Sequence, residues 1–322
     1  MEQAPFYEDI AEGPAGGQAV WAKTSDGLRI RVGWWPAQGT PLGTVLIFPG
    51  RTEYVEKYGR DAISLTRAGY AVLAIDWRGQ GLADRLVANA RVGHVGLFPD
   101  YQLDVAAVLD VAELAELPKP WHVLGHSMGG CIALRALYEG LPVNSAVFSA
   151  PMWGIRMAAP TRPAAWALSW SGSVLGLGHL MAPGTKEDPY PLDNAFDDNK
   201  LTSDESMYDY MRRQLIAQPE LSLGGPSLHW LIQALAETLA LARRPAPSLP
   251  CLTFLGEAEA IVDPARIMTR MKSWQNGELV MLPNARHEVL MEAPHTRQVI
   301  FDRVIPFLKN HAQAAPAPAQ SA

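Results

Sequence analysis

The stretch WHVLGHSMGGCIALRAL, residues 121–137, surrounds one serine with three glycines where an apolar run meets a helix-like pattern. Glycine weakens strands and helices, so three of them at one corner need a physical reason. The motif GHSMG (125–129) has the G-x-S-x-G spacing and the strand-to-helix setting of a nucleophile elbow. Such a turn strains the serine backbone and lifts its hydroxyl over the free N–H groups of a helix N-terminus. The pattern predicts Ser127 as a nucleophile, with Gly125 and Gly129 avoiding collisions. An incidental serine in a glycine-rich connection is the alternative.

Short apolar runs recur on both sides of this corner, and most are followed by helical patterns. Continuous apolar runs are typical of parallel strands buried on both faces. Six such runs occur: 44–48 (TVLIF), 70–76 (YAVLAID), 121–125 (WHVLG), 145–150 (SAVFSA), 251–256 (CLTFLG) and 278–282 (ELVML). The run LRIRVGWW (28–35) alternates like a half-exposed strand, and 101–117 repeats its apolar residues at helical spacing. This alternation predicts an α/β fold with a mostly parallel, doubly wound sheet.

The β–α rhythm breaks after residue 150, and the chain length of 322 residues suits one large domain with an insertion. We therefore expect five segments along the chain. They are an N-terminal extension (1–18), the first part of the core (19–150), a helical lid insertion (151–225), the second part of the core (226–311) and a disordered Ala/Pro-rich tail (312–322).

The composition is that of an ordinary globular protein, with 48% hydrophobic residues and a formal net charge of −6. This charge excludes a general nucleic-acid binder, which would show a basic face.

The N-terminus lacks the pattern of a secretory signal, and Cys131 and Cys251 lie in apolar runs. We expect buried free thiols and a cytoplasmic location. No motif for a metal or an organic cofactor is present, and RGQG (78–81) lacks the third glycine of a dinucleotide loop.

One segment, residues 163–185, contains no Asp, Glu, Lys or Arg and is nearly long enough to cross a bilayer. Glycines, serines and prolines interrupt it, and charged sequence follows on both sides. A mobile apolar lid is therefore favoured over a membrane span.

A serine hydroxyl needs a general base to become a nucleophile. Of the five histidines after Ser127, only His287 follows a late apolar run directly. The acid belongs after the run 251–256, where Glu259 and Asp263 are the main candidates. Because Asp263 precedes a proline and a helical pattern, a helix N-cap explains it fully. We favour Glu259, and Asp263 stays open.

The tetrahedral intermediate of acyl transfer needs two backbone N–H donors. Met128 follows the nucleophile and supplies one. The second is expected after the run 44–48, where Pro49 has no N–H and Arg51 is the next candidate after Gly50. An ordinary strand-end turn is the alternative.

Together these motifs resemble those of α/β-hydrolases of the monoacylglycerol lipase and bacterial lysophospholipase type. The matching pieces are FPGRTEYVEKYG (48–59), AIDWRGQGLADR (74–85), GHSMGG (125–130), NKLTSD (199–204), GEAEAIVDP (256–264) and ARHEVLME (285–292). In that family the acid stands three residues after the strand-end glycine, a register that falls on Glu259. Two departures are Pro49, where many relatives carry histidine, and glutamate in place of the usual aspartate.

The resemblance implies a serine carboxylic-ester hydrolase that cleaves a single-acyl lipid through an acyl-enzyme. It implies a small acyl-ester substrate, no cofactor, and a lid that covers the acyl pocket and makes transient contact with a membrane surface. Five apolar lid residues are equally expected to line that pocket or to pack against each other: Trp153, Trp166, Trp170, Leu175 and Met181. A short-chain esterase, thioesterase or serine peptidase on the same fold is the alternative. A catalytically dead binding module is less favoured because every triad member is present.

Overall fold

The computed structural model describes residues 1–157 and 161–313, and these residues form one nine-stranded sheet covered by helices. The strands are β1 (Glu2–Gln3), β2 (Gln18–Lys23), β3 (Arg29–Trp35), β4 (Gly43–Phe48), β5 (Tyr70–Asp76), β6 (Trp121–His126), β7 (Ala146–Ser149), β8 (Cys251–Gly256) and β9 (Gly277–Leu282). Their order across the sheet is β1-β2-β3-β5-β4-β6-β7-β8-β9.

Pairing between neighbouring strands changes once across the sheet, from antiparallel to parallel at β5. The neighbours from β1 to β5 pair antiparallel, whereas β5, β4, β6, β7, β8 and β9 are mutually parallel. The carboxyl ends of parallel strands meet at one edge, where ligands of open α/β sheets bind. The loops that follow β4, β6, β8 and β9 therefore meet at one place.

Ten helices lie within the described residues. They are α1 (Glu8–Ala11), α2 (Gly59–Arg67), α3 (Tyr101–Leu114), α4 (Ser127–Tyr138), α5 (Thr161–Val174), α6 (Tyr190–Asp193), α7 (Glu205–Ala217), α8 (Leu228–Ala242), α9 (Pro264–Ser273) and α10 (Pro294–Asn310). In β4, Leu46 and Phe48 belong to the core shared with α3, α4, α8 and α9, whereas Val45 and Ile47 belong to the core shared with α2, α7 and α10. Because alternate side chains serve opposite cores, both faces of the sheet are covered, which confirms the doubly wound prediction.

Two strands differ from their predicted exposure. β3 is buried from Ile30 onward, because Arg31 forms buried ion pairs of 2.7 Å with both Asp76 and Glu56. The Arg31 side chain therefore points inward rather than to solvent. β9 is the edge strand of the sheet and is only partly covered, although its apolar run predicts a buried strand.

The segment 151–225, called the insertion below, joins β7 to the second part of the core. Its described residues form α5, α6 and α7, and two isolated bridges attach it to the core, Ile155 to Val262 and Met181 to Ser227. No described helix is both long and apolar enough to cross a bilayer. The predicted tail (312–322) lies outside the described residues from 314 onward. Cys131 and Cys251 are buried free thiols, as predicted.

Candidate active site

Ser127 occupies a strained turn at which β6 passes directly into α4. Its φ is +47°, in the left-handed region, which costs a non-glycine residue about 1–3 kcal/mol. A Cβ on Gly129 would lie 1.8 Å from the carbonyl oxygen of Phe48, and one on Gly125 would lie 2.9 Å from a backbone carbon of α4. Both glycines therefore allow α4 to pack closely against the ends of β4 and β6.

The structure brings Ser127, His287 and Glu259 into one hydrogen-bonded chain. Ser127 Oγ lies 2.9 Å from His287 Nε2, and His287 Nδ1 lies 2.7 Å from Glu259 Oε2. Glu259 follows β8 and His287 follows β9, so three separate loops meet at the carboxyl edge of the sheet. All three side chains are buried. This geometry suits proton transfer from the serine to the imidazole.

Glu259 is held in its ionised form by three partners. Its Oε1 accepts hydrogen bonds from the backbone N–H groups of Ile261 (2.6 Å) and Val262 (3.0 Å), which leaves Oε2 for His287. Burial by itself raises the pKa of Glu259, but the His287 imidazole and the two backbone donors outweigh burial and lower the pKa below its usual value. A carboxylate in this position fixes the orientation of the imidazole and stabilises its cation.

Asp263 lies at the N-terminus of α9 instead. Its side chain accepts a hydrogen bond from the backbone N–H of Ala265 at 3.1 Å, and Pro264 is the first residue of the helix. This is the N-cap arrangement that the sequence predicts. Nδ1 of His287 is directed to Glu259 and not to Asp263.

The loop after β4 presents Arg51 beside the nucleophile. The carboxylate of Glu53 accepts the backbone N–H of Gly50, whereas the N–H of Arg51 has no acceptor among the described residues. Met128 lies in the first turn of α4, where N–H groups have no acceptor within the helix. Arg51 and Met128 both line the same cavity as Ser127. Both backbone N–H groups therefore belong to residues that line the space beside the nucleophile.

A cavity of about 260 Å³ opens above Ser127 and is lined mainly by apolar side chains. Its apolar lining includes Met128, Met152, Ile155, Leu201, Met211, Leu215, Trp230, Leu231, Ile261 and Val262. Sequence reasoning missed Met211 and Leu215, which are one helical turn apart on α7. Their i, i+4 spacing is a signal that marks one face of that helix.

Among the described residues, none of the five lid residues considered for the pocket belongs to the lining of this cavity. Trp153 is 2% exposed and packs between Phe148 and Trp274. Trp166 lines a second, smaller cavity beside Trp153. The remaining lid residues are the half-buried Met181 beside Gly225, and the exposed Trp170 and Leu175. The structure therefore favours the packing alternative for Trp153 and Trp166, because the cavity draws its apolar lining from α7, α8 and loops of both the core and the insertion.

A buried charge cluster beneath the site was also missed by sequence reasoning. Lys57 Nζ contacts the Glu53 carboxylate and lies 2.7 Å from Glu288 Oε2. Tyr58 donates its hydroxyl to Glu53. His126 Nε2 lies 3.2 Å from Glu288 Oε2, an ion-pair distance without hydrogen-bond geometry. The charge cluster (Glu53, Lys57, Tyr58, His126 and Glu288) therefore joins the loop after β4, the residue before the nucleophile and the residue after His287.

The charges of this cluster depend on one another. Burial lowers the pKa of His126 and of Lys57, but Glu288 and Glu53 outweigh burial and raise both. Burial raises the pKa of Glu288, yet His126 and Lys57 hold it well below its usual range. The donor atoms of Glu53, His126 and Glu288 lie within 4.8 Å of one another, close enough for a metal ion. The Lys57 ammonium already contacts both carboxylates and supplies the cation there.

The sheet order, the strand-to-helix turn at Ser127 and the chain order serine, acid, histidine together define an α/β-hydrolase of the serine hydrolase class. Residues 39–294 match the family described as "Serine aminopeptidase, S33", and the chain belongs to that family.

Comparisons with known proteins identify relatives of this chain within the α/β-hydrolases. The chain is 32% identical to Lysophospholipase L2 of Escherichia coli over 288 residues, which covers 83% of this chain and 80% of that protein. It is 29% identical to Probable lysophospholipase L2 of Haemophilus influenzae over 269 residues, 82% of this chain and 83% of that protein. The crystal structure of a soluble variant of monoglyceride lipase from Saccharomyces cerevisiae superposes with a TM-score of 0.71 at 20% identity, covering 91% of this chain and 95% of that one. The first two relatives confirm the resemblance drawn from the motifs, and the third confirms the fold.

Proposed function

We propose that this protein hydrolyses the ester bond of a single-acyl lipid, a lysophospholipid or a monoacylglycerol, through an acyl-enzyme on Ser127. One observation carries the proposal: Ser127 Oγ lies 2.9 Å from His287 Nε2 within an apolar cavity of about 260 Å³. This volume is near the small end of ligand pockets, about 300–1,000 Å³, which favours one acyl chain over two. The names of the lysophospholipase and monoglyceride lipase relatives agree with this substrate class.

In the first half-reaction, His287 Nε2 accepts the hydroxyl proton as Ser127 Oγ attacks the ester carbonyl carbon. The negative charge that develops on the carbonyl oxygen is stabilised by the backbone N–H groups of Arg51 and Met128, each worth roughly 2.7–4 kcal/mol if it resembles a measured oxyanion-hole donor. The bond to the leaving alcohol then breaks, and His287 gives its proton to that alcohol. The acyl group remains on Ser127.

In the second half-reaction, His287 takes a proton from water, and the resulting nucleophile attacks the acyl carbon. The bond to Ser127 Oγ breaks, His287 returns the proton to Oγ, and a fatty acid leaves. Glu259 keeps its charge throughout and holds the imidazole with Nδ1–H directed toward Oε2.

The charges around the cavity argue against an aminopeptidase reaction, despite the family's description. A peptide amino group carries a positive charge and needs an available carboxylate. Glu53 and Glu288 line the cavity, but both are paired with Lys57. The Arg51 guanidinium, in contrast, lines the cavity without a carboxylate partner among the described residues, and its positive charge repels an ammonium group.

The insertion (151–225) is proposed as a lid between the two core segments (19–150 and 226–311) and as the part that meets a lipid surface. Large apolar side chains are exposed on α5 and just after it: Leu168, Trp170, Val174, Leu175, Leu177 and Leu180. A net charge of −6 gives no attraction to an anionic membrane, so this contact is proposed to be apolar. The buried free thiols support a cytoplasmic location with peripheral membrane contact.

The proposal is tested by fatty-acid release from a monoacylglycerol and a lysophosphatidylcholine of equal chain length, with Ser127→Ala in parallel. We expect the wild-type protein to release fatty acid and the variant to release none above background. If the folded wild-type protein releases fatty acid from neither lipid, the proposed substrate class is wrong.

A further inference from the structure

Arg51 is a cation in the cavity with an incomplete set of partners. Its Nη1 donates to the carbonyl oxygen of Gly224 at 2.7 Å, and its Cζ lies 5.7 Å from the ring centroid of Trp230. No carboxylate of a described residue lies within ion-pair distance of it. A guanidinium carries several N–H donors, so most of them have no acceptor in the described part of the chain.

This situation differs from that of the three most buried cations in the described residues. Arg31, Arg78 and Lys57 each contact at least two carboxylates. A cation withdrawn from water without a counter-charge is costly. Burial lowers the pKa of Arg51 to about 10, and the group remains positive at neutral pH. An anionic ligand would supply the missing charge.

The position of Arg51 also limits where such an anion would lie. Arg51 and Ser127 line the same cavity, and the backbone N–H of Arg51 is the proposed donor to the ester oxyanion. The guanidinium is therefore within one side-chain length of the reacting ester. In a lysophospholipid a glycerol backbone separates the ester from the phosphate, which is a comparable span. In a monoacylglycerol an uncharged hydroxyl stands at that place.

We propose that the Arg51 guanidinium binds the phosphate of the substrate's head group and thereby selects lysophospholipids over monoacylglycerols. The inference rests on the proposed function and names the leaving group within it. A guanidinium suits this task because its planar fork donates two hydrogen bonds to one phosphate. Arg51 would then act through two groups, its backbone N–H at the oxyanion and its side chain at the phosphate.

A structural role for the same side chain makes a different prediction. Through Gly224, Arg51 ties the loop after β4 to the end of the insertion. Loss of a purely structural tie would change the turnover of every substrate alike. Loss of a phosphate contact would lower turnover of the substrate that carries phosphate by more than that of the other, and so change the ratio of the two activities.

The test compares kcat/KM of the wild-type protein and Arg51→Gln on lysophosphatidylcholine and on the monoacylglycerol of equal chain length. We expect Arg51→Gln to lose about 10- to 100-fold on the lysophospholipid, chiefly through KM, because a hydrogen bond to a charged group is lost. Arg51 also supplies a backbone donor to the ester oxyanion, so some loss is expected on the monoacylglycerol as well, but the loss on the lysophospholipid should exceed it by about 10-fold or more. Arg51→Lys, which keeps the charge without the fork, should recover part of the lysophospholipid activity.

Arg85→Gln is the matched control variant. Arg85 is also partly buried, binds the backbone oxygens of Gly81 and Glu220, and lines a different cavity. It should leave the ratio of the two activities unchanged. Inorganic phosphate and glycerophosphocholine are added as competitors, and Arg51→Gln should relieve inhibition by glycerophosphocholine.

Each contrary outcome has a separate meaning. Equal losses on both lipids in a folded Arg51→Gln protein would overturn the head-group role and leave the proposed function intact. Relief of inhibition by inorganic phosphate with unchanged lysophospholipid turnover would also overturn it, because Arg51 would then bind only the free ion. A wild-type protein that hydrolyses neither lipid would overturn both proposals.

Discussion

The buried corner around Ser127 and the exposed helix α5 of the insertion are built in opposite ways. At the corner, Ser127, His287 and Glu259 are linked by hydrogen bonds of 2.7–2.9 Å, and the side chains of the charge cluster beside them are buried. On α5, Trp170 is 63% exposed, and Leu175 just after the helix is 72% exposed. Contacts within the chain thus hold the corner around Ser127 in place. Helix α5, in contrast, exposes an apolar surface that an external apolar partner can cover. Substitutions should therefore have large effects at the corner and small, substrate-dependent effects on α5.

The largest effect is expected for Ser127→Ala, with Ser171→Ala on α5 as its matched control. Loss of the nucleophile should lower kcat by about 10⁴- to 10⁶-fold, as in serine hydrolases whose triad has been dismantled. The Ser171 hydroxyl donates to backbone carbonyl oxygens of its own helix, those of Ala167 and Leu168, so its loss should change kcat less than about twofold. Steady-state kinetics on one lipid measure both. Equal activity of the two variants would contradict the assignment.

The second effect separates the two candidate acids. Glu259→Gln should lower kcat by about 10⁴-fold, since the imidazole loses its oriented partner. Asp263→Asn keeps an N-cap side chain and should retain nearly full activity, and Asp263→Ala should cost about 1 kcal/mol in the free energy of unfolding. Kinetics and urea unfolding measure these outcomes. A larger kinetic loss for Asp263→Asn than for Glu259→Gln would assign the acid to Asp263.

A third prediction concerns the charge cluster. Lys57→Met leaves Glu53 and Glu288 without their shared cation, and it should destabilise the fold by about 3–5 kcal/mol. The matched control is Lys119→Met, because Lys119 and Glu113 form an exposed ion pair that contributes at most about 1 kcal/mol. The free energy of unfolding in urea measures both. If Lys57→Met lowers the free energy of unfolding as little as Lys119→Met does, the charge cluster is not buried as the structure has it.

A smaller, substrate-dependent effect is expected on the insertion. Trp170→Ser combined with Leu175→Ser should reduce turnover of a lipid presented in micelles or vesicles by several-fold, because apolar contact area with the lipid surface is lost. Turnover of a short soluble ester should be unchanged, since neither residue lines the cavity. A parallel loss on both substrates would contradict the surface role.

The smallest effect is a pH dependence of stability due to His126. Glu288 and Glu53 outweigh burial and raise the pKa of His126 above its ordinary value of 6.5. The imidazolium therefore stabilises the fold fully below about pH 6.5, and this stabilisation is lost as the pH rises through the folded-state pKa. The difference in unfolding free energy between wild type and His126→Gln should shrink as the pH rises above about 6.5. A difference that grows with pH would contradict the predicted sign.

How far the sequence predicts the molecule depends on whether its signals are local. The parallel strands, the turn at Ser127 and the N-cap at Asp263 are each determined by a few adjacent residues, and all are found in the structure. The register of Glu259 after β8 is equally local. The sequence therefore predicts the sheet and the residues that meet Ser127.

Features that depend on contacts between residues far apart in the sequence could not be predicted from local patterns. The alternation in β3 predicts exposure, but Asp76 and Glu56 from other segments draw Arg31 inward. The charge cluster joins residues from three separate loops, and nothing near Lys57 indicates Glu288 as its partner. Composition alone does not decide whether the lid tryptophans line the pocket or pack together, and it does not indicate that Met211 and Leu215 of α7 contribute to the lining.

The most direct test of the central claim is mass spectrometry of the protein quenched within its first turnovers on a lysophospholipid. We expect a fraction of the protein to be heavier by one acyl group, with the added mass on the peptide that contains Ser127. That species should be absent from Ser127→Ala. Fatty-acid release without an acyl adduct on Ser127, or an adduct on another residue, would contradict the mechanism.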